Sequence, residues 1–423
     1  MTASAAMISP FASISEVASD MRERRLSPVA LVEKCLARIE AFNPKLGAFI
    51  TVTTELAREQ ARQAEAEIAG GQWRGPLHGI PVAVKDFYDT AGVRTTAGSR
   101  RFEHRVPNKD AELVGKLKEA GAVFVGKTNM HRLGMGTTSL ESDFGPVVNP
   151  WNANRVAGGS SGGSCVAVAA GLCWATVDTD AVGSGRLPAA ICGVSCHKPT
   201  FGVLSPIGIL AGEETDPAIL KLGHPCVTAR GVDDVSLVLD LLTGAFGIER
   251  EAAGLAPGDW SPIRRIGLVT NFNANDEIRS AFEHVVAMLT SMEIETHEVR
   301  VPFEAATFDI SRIDADRAAI DASLFADVEA IVLPTLAAPA PTIEEARARG
   351  ELAVAPDNTF FCNYYGIPAT NVPAGFDRNG VPLGVQFAGP HGADSRVLAL
   401  ARSYEQTIGW RYVLPRGVGV HST

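Results

Sequence analysis

The run Gly158-Gly159-Ser160-Ser161-Gly162-Gly163-Ser164 constrains this chain more than any other stretch of it. So many residues with little or no side chain give a backbone that reaches angles closed to other residues and lets neighbouring chain approach closely. The run leads into Cys165-Val166-Ala167-Val168-Ala169-Ala170, a small-residue segment suited to a helix. It therefore reads as a turn feeding a helix N-terminus whose free N–H groups face the serines. Leu172 to Val177 follows as a short apolar run fit for a buried strand, and Asp178 to Gly185 as a second turn with Ser184 at its exposed end. Consecutive backbone N–H groups in that turn suit a developing oxyanion, the main electrostatic need of acyl transfer. Phosphate binding is the weaker reading, because a P-loop needs Lys followed by Ser or Thr after its second glycine and Ser164-Cys165 stands there instead.

The two serine-bearing loops at this spacing resemble the amidase signature family of Ser-Ser-Lys amide hydrolases. The segment Gly79-Ile80-Pro81-Val82-Ala83-Val84-Lys85-Asp86 matches a further motif of that family, and similarity runs from about Leu26 to Trp410. The resemblance implies an α/β fold in which helices cover both faces of a central, mixed, twisted sheet. It implies one domain over residues 1–423 with a catalytic core at about 75–210. It also implies Ser184 as nucleophile, Ser160 as bridging serine, Lys85 as base and a cis Gly159–Ser160 peptide. The oxyanion would be held by the backbone N–H groups of Ala181, Val182 and Gly183, with no metal or organic cofactor required. Val182 departs from the commonest pattern, which has glycine there, and its side chain narrows the approach. Ser184-Gly185-Arg186 resembles the Ser-Gly-Arg of the allophanate hydrolases within the family.

Residue chemistry supports these roles independently. Pro81 to Val84 is an apolar run that puts the Lys85 amine at the C-terminal end of a strand, where open α/β sheets place their sites. A lysine serves as base only when neutral, and burial beneath the two loops lowers its pKa towards roughly 7 to 8. Nine histidines are present, yet none sits in a motif that pairs it with Ser184, so a Ser-His-Asp triad is the weaker reading.

Around this centre the periodicity predicts scaffold. Helices are expected from Ser27-Pro28 with Val32, Cys35, Leu36 and Ile39 inward, over Thr54 to Gly70, over Asp110 to Gly121, over Val232 to Leu242, over Asp276 to Met292 and over Asp394 to Thr407. Strands are expected at Ala122 to Gly126, Arg265 to Thr270 and Val328 to Leu333, and in closing segments at Asn363 to Pro373 and Gly380 to Gln386. Met130 to Ser142 resembles the family's substrate-pocket segment, which would put Gly134 and Met135 in the cleft; the alternative is that Met130 and Met135 pack the core. Relatives carry a long helical insertion where Val301 to Asp327 leaves room for one helix. A pocket wall is therefore remodelled, more open, or completed by another chain, which leaves room for a homo-oligomer or a small accessory chain.

Composition excludes some partners. A net charge of −10 argues against nucleic acid and against an anionic membrane surface. Seven cysteines, an odd number without paired metal-type spacing, point to a reduced compartment. Met1 to Pro10 has no basic region followed by a long apolar run, so the expected location is cytoplasmic. Two functions fit: an amidohydrolase releasing ammonia or an amine from a small organic amide, and the glutaminase component of a tRNA-dependent amidotransferase. The second expects the insertion that is missing here.

Overall fold

Pro81-Val82-Ala83-Val84-Lys85 is buried at every position, a continuous run of the kind that fits a strand covered on both faces. In the computed structural model, which describes residues 9–244, 262–304 and 308–416, this strand lies inside an 11-stranded mixed sheet. The strands are β1 (Phe49–Val52), β2 (Pro81–Lys85), β3 (Val123–Thr128), β4 (Ala175–Asp180), β5 (Ser195–Lys198), β6 (His224–Ala229), β7 (Arg265–Val269), β8 (Glu295–Val299), β9 (Ala330–Pro334), β10 (Ala369–Phe376) and β11 (Pro382–Ala388). Their order is β1-β3-β2-β4-β6-β5-β10-β11-β9-β7-β8. β2 runs parallel to β3 on one side and to β4 on the other, so Lys85, Thr128 and Asp180 end at one edge. β6 then returns antiparallel to β4, and β10 and β11 form an antiparallel pair in the middle of the sheet.

Both faces of the sheet carry helices, as alternate residues of β5 demonstrate. Ser195 and His197 bond Glu405 and Asp394 of the helix Asp394–Ile408, while Cys196 lies against Gly185, where the helix Arg186–Cys192 begins. The expected scaffold helices form at Pro28–Leu46, Thr54–Ala69, Glu112–Glu119, Val232–Leu242, Asp276–Ser291 and Asp394–Ile408. The first has Ser27 as N-cap, accepting from the Ala30 N–H, and Pro28 opens it, which fits a residue with no N–H to place. Among the described residues no helix is long and apolar enough to cross a membrane.

Three boundaries differ from expectation. The strand read at Leu172 to Val177 begins at Ala175 and runs on through Asp180. Hydrophobicity ends at Val177, but Asp178, Thr179 and Asp180 pair with Cys226, Pro225 and His224 of β6, and both carboxylates find partners. The turn is therefore shorter than read, running from Ala181 to Gly185. Asn363 and Tyr364 belong to a short helix, Phe360–Tyr364, so the closing strand starts at Ala369. Among its described residues, the segment 301–327 holds one α-helix, Ile313–Leu324, preceded by a 3-10 turn.

Candidate active site

The Gly/Ser run folds as a loop entering the helix Gly162–Ala169, with the Gly159–Ser160 peptide cis. Its glycines are used for closeness. A methyl group at Gly163 would collide with the carbonyl oxygens of Asn129 and Ala48, so this helix start is pressed against the end of β3. The loop is thereby laid over the end of β2. Lys85, with no exposed surface, donates from Nζ to Ser160 Oγ at 2.7 Å, Ser161 Oγ at 2.8 Å and Thr179 Oγ1 at 2.9 Å. Burial pulls the Lys85 pKa down to about 8, while Asp178, Cys226 and Asp180 oppose the shift. No ion pair to Lys85 forms among the described residues.

Ser184 joins this centre through its main chain: the Ser161 N–H donates to the Ser184 carbonyl at 3.0 Å. It is 5% exposed, so the expectation of an exposed turn end is corrected. The turn is folded in by Asp180, whose carboxylate accepts from the N–H groups of Gly183 (2.8 Å), Gly185 (3.2 Å) and Arg186 (3.2 Å). Thr359 closes it from above by donating to the Val182 carbonyl at 2.6 Å. Gly183 has φ 126 and would drive a side chain into Thr359, so only glycine fits there. Of the three N–H groups expected to face an oxyanion, that of Gly183 is already given to Asp180. Those of Ala181, Val182 and Ser184 have no acceptor among the described residues.

Arg186, wholly buried, pairs with Asp180 through Nε (3.0 Å) and Nη2 (3.0 Å) and reaches Gln386 Oε1, Asn363 Oδ1 and the Thr359 carbonyl. Burial alone would raise the Asp180 carboxyl; the Arg186 guanidinium holds it well below the usual carboxylate range. Arg186 is thus spent on shaping the turn, which gives the Ser-Gly-Arg sequence a structural reason independent of any substrate. Periodicity gave no sign of this network, because its members come from 180, 186, 359, 363 and 386 and only the turn was conspicuous. Ser161 and Thr179 were also missed as Lys85 partners, since neighbouring hydroxyls look alike in sequence.

Of the two pocket residues expected, Gly134 borders the centre: a methyl there would lie 3.7 Å from Ser160 Oγ and against the Phe87 ring. Met135 is 57% exposed beside it, whereas Met130 is in the core. Core packing therefore holds for Met130 and not for Met135. His131, buried in the same segment, donates its backbone N–H to the Ser160 carbonyl at 3.0 Å, and burial pulls its imidazole down to about 4.

The amidase family model matches residues 30–322 and 311–398 of this chain. The chain belongs to the amidase signature family. As a member it is a hydrolase acting on C–N bonds. It is 32% identical over 485 residues to the A-type subunit of the glutamyl-tRNA(Gln) amidotransferase of Hahella chejuensis, covering 94% of this chain and 97% of that one. It is 37% identical over 302 residues to the corresponding protein of Carboxydothermus hydrogenoformans, a match spanning 69% of this chain and 61% of the relative. A crystal structure of an amidase superposes with a TM-score of 0.80 at 28% identity, covering 94% of this chain and 100% of the other. The two matched stretches of the family model meet at residues 311–322, inside the shortened segment.

Proposed function

We propose that this family member hydrolyses a small organic amide through an acyl-enzyme on Ser184. The observation that carries the reading is Lys85: a buried amine drawn down to about 8, without an ion pair, 2.7 Å from a serine hydroxyl on the loop that bonds Ser184. A neutral Lys85 takes the Ser160 proton as Ser160 takes that of Ser184. The Ser184 Oγ–carbon bond forms, and the developing oxyanion is met by N–H groups of the Ala181-Val182-Gly183-Ser184 turn. Ala181 and Val182 are the first donors, with Gly183 shared with Asp180. The C–N bond then breaks as the proton passes back from Lys85 through Ser160 to the leaving amine. Water cleaves the ester by the same path in reverse, and Ser184 regains its proton. Gly134 and Met135 line the approach.

The names of its relatives favour a second reading, the glutaminase component of a tRNA-dependent amidotransferase, with partner chains. The shortness of residues 301–327, where the two matched stretches of the family model overlap, favours the free-standing amidase. The purified chain, given a panel of small amides and ureas without tRNA, is expected to release ammonia or an amine from at least one. Silence on all of them, with activity on glutamine only in the presence of tRNA-charging partners, would select the second reading.

A further inference from the structure

Three residues follow the end of β2, and only the middle one of them reaches the surface. Asp86 and Tyr88 are wholly buried: Asp86 Oδ2 accepts from the Thr96 N–H at 2.9 Å, and the Tyr88 hydroxyl donates to the Asp178 carbonyl at 2.6 Å. Phe87 between them is half-buried, its main chain fixed where its carbonyl accepts from the Leu210 N–H at 3.1 Å. The centre of its ring lies 5.3 Å from Lys85 Nζ. The same ring rests against Gly134, where a methyl group would come within 2.8 and 2.9 Å of two ring carbons and stand 3.7 Å from Ser160 Oγ. Phe87 thus borders both the amine and the bridging serine, and a glycine at 134 leaves it the room to do so.

An ammonium has three N–H groups, and those of Lys85 are accounted for by Ser160, Ser161 and Thr179. The ring receives none of them, which leaves it two ways to act on the amine. Its face attracts a cation, but 5.3 Å is close to the ~6 Å limit of that attraction. Its bulk excludes water and works in the opposite direction, the one that prevails at Lys85, where burial brings the pKa down to about 8. Neighbouring charge cannot supply that fall. Asp178 and Asp180 of β4, Cys226 of β6 and Cys165 of the helix Gly162–Ala169 all favour the protonated amine. His131 is itself drawn down to about 4 by burial, and Asp86 acts on Lys127. Enclosure is what depresses Lys85, and Phe87 is an apolar wall of that enclosure with one side open to solvent.

We infer that Phe87 is a positioning residue: its ring closes Lys85 off from solvent, so that the amine exchanges its proton with Ser160 and not with water. This rests on the amidase reading above. The test follows the rate at which a fluorophosphonate labels Ser184 across a pH series, which needs no knowledge of the substrate. In the wild type that rate should rise through about pH 8. In Phe87→Ala the midpoint should move up by about one unit, part of the way back to the solvated value of about 10.4, with the plateau kept, so that labelling near pH 7 falls about tenfold. Phe87→Leu restores apolar bulk and should keep the wild-type midpoint. Phe87→Asn, polar and smaller, should move the midpoint as Phe87→Ala does, and it supplies the readout where Phe87→Ala does not fold. An unmoved midpoint in the folded Ala or Asn variant reduces the ring to packing and overturns the inference. A downward move overturns it too, since attraction for the ammonium would then outweigh the exclusion of water. Failure of the amidase reading looks different: no label on Ser184 in the wild type at any pH, or labelling that keeps its rate in Lys85→Ala.

Discussion

Two lysines end neighbouring strands of the sheet, and only one is proposed as a catalytic base. Lys85 closes β2 and Lys127 lies one residue from the end of β3; both are buried, and burial draws both down to about 8. They differ in what they touch. Lys85 meets three hydroxyls, each able to accept a proton from the amine or donate one to it. Lys127 donates to the Tyr88 carbonyl and to Thr95 Oγ1 at 3.1 Å and Thr90 Oγ1 at 3.3 Å, with Asp86 and Asp89 close enough to favour its charge. A carbonyl only accepts, and the two threonine hydroxyls donate onward to the Tyr88 and Val93 carbonyls at 3.3 Å rather than to a nucleophile, so deprotonating Lys127 opens no proton path to a reacting group. Burial sets the pKa; the partners decide what the proton can do.

The largest effect that would break this contrast comes from Lys85 itself. Lys85→Ala and Ser184→Ala should each lower kcat/KM by about 10⁴-fold or more, the scale seen when one member of a catalytic unit is removed. Lys85→Arg should do no better, since a guanidinium cannot give up its proton in a working pH range. Near-normal turnover of Lys85→Arg with an unchanged pH profile would make Lys85 as structural as Lys127. Lys127→Met should leave the pH profile in place and instead cost about 1–3 kcal/mol of stability in denaturant unfolding, the penalty for stranding buried acceptors such as the Tyr88 carbonyl.

The pH dependence sharpens the same point. Lys85 must be neutral to work, so kcat/KM should rise through about pH 8 and level off above it. Stability should rise over the adjoining window, between about pH 8 and the unfolded value of 10.5, because there the unfolded chain binds more protons than the native one. Both lysines feed the stability rise, but only Lys85 feeds the kinetic limb. In Lys127→Met the first should shrink and the second should stay. The smallest expected effect is at Val182, half-buried beside Ser184. Val182→Gly should improve kcat/KM for bulkier acyl groups by about tenfold or less, as expected for removing a few methyl groups from a pocket. Unchanged relative rates across a size series would show that Val182 does not shape the approach.

Much of this arrangement was legible in the sequence, because it rests on local signals. The apolar run ending at Lys85, the Gly/Ser loop and the Ser27-Pro28 helix start each declare themselves within a few residues. What could not be read was assembled from distance. Asp178 to Asp180 are polar, and only cross-strand partners on β6 make them strand. The Asp180–Arg186 pair draws on Thr359, Asn363 and Gln386, none of them within a motif that signals charge. Ser184 was expected to be exposed because its turn is full of small residues; the same smallness lets Thr359 and the Asp180 network fold it inward.

The seven cysteines are all buried free thiols, and three of them surround the residue next to Ser184. Cys165 Sγ lies 3.8 Å from the Gly185 carbonyl, and a methyl on Gly185 would strike the sulfurs of Cys226 and Cys196. Burial raises the pKa of Cys165 and Cys226 well above the ordinary thiol value, so in the closed molecule they are both shielded and protonated. Alkylation must then wait for the layer under the nucleophile to open. The chain thus carries a built-in clock: the rate at which Cys165, Cys196 and Cys226 take up an alkylating reagent under native conditions measures how often the floor beneath Ser184 comes apart.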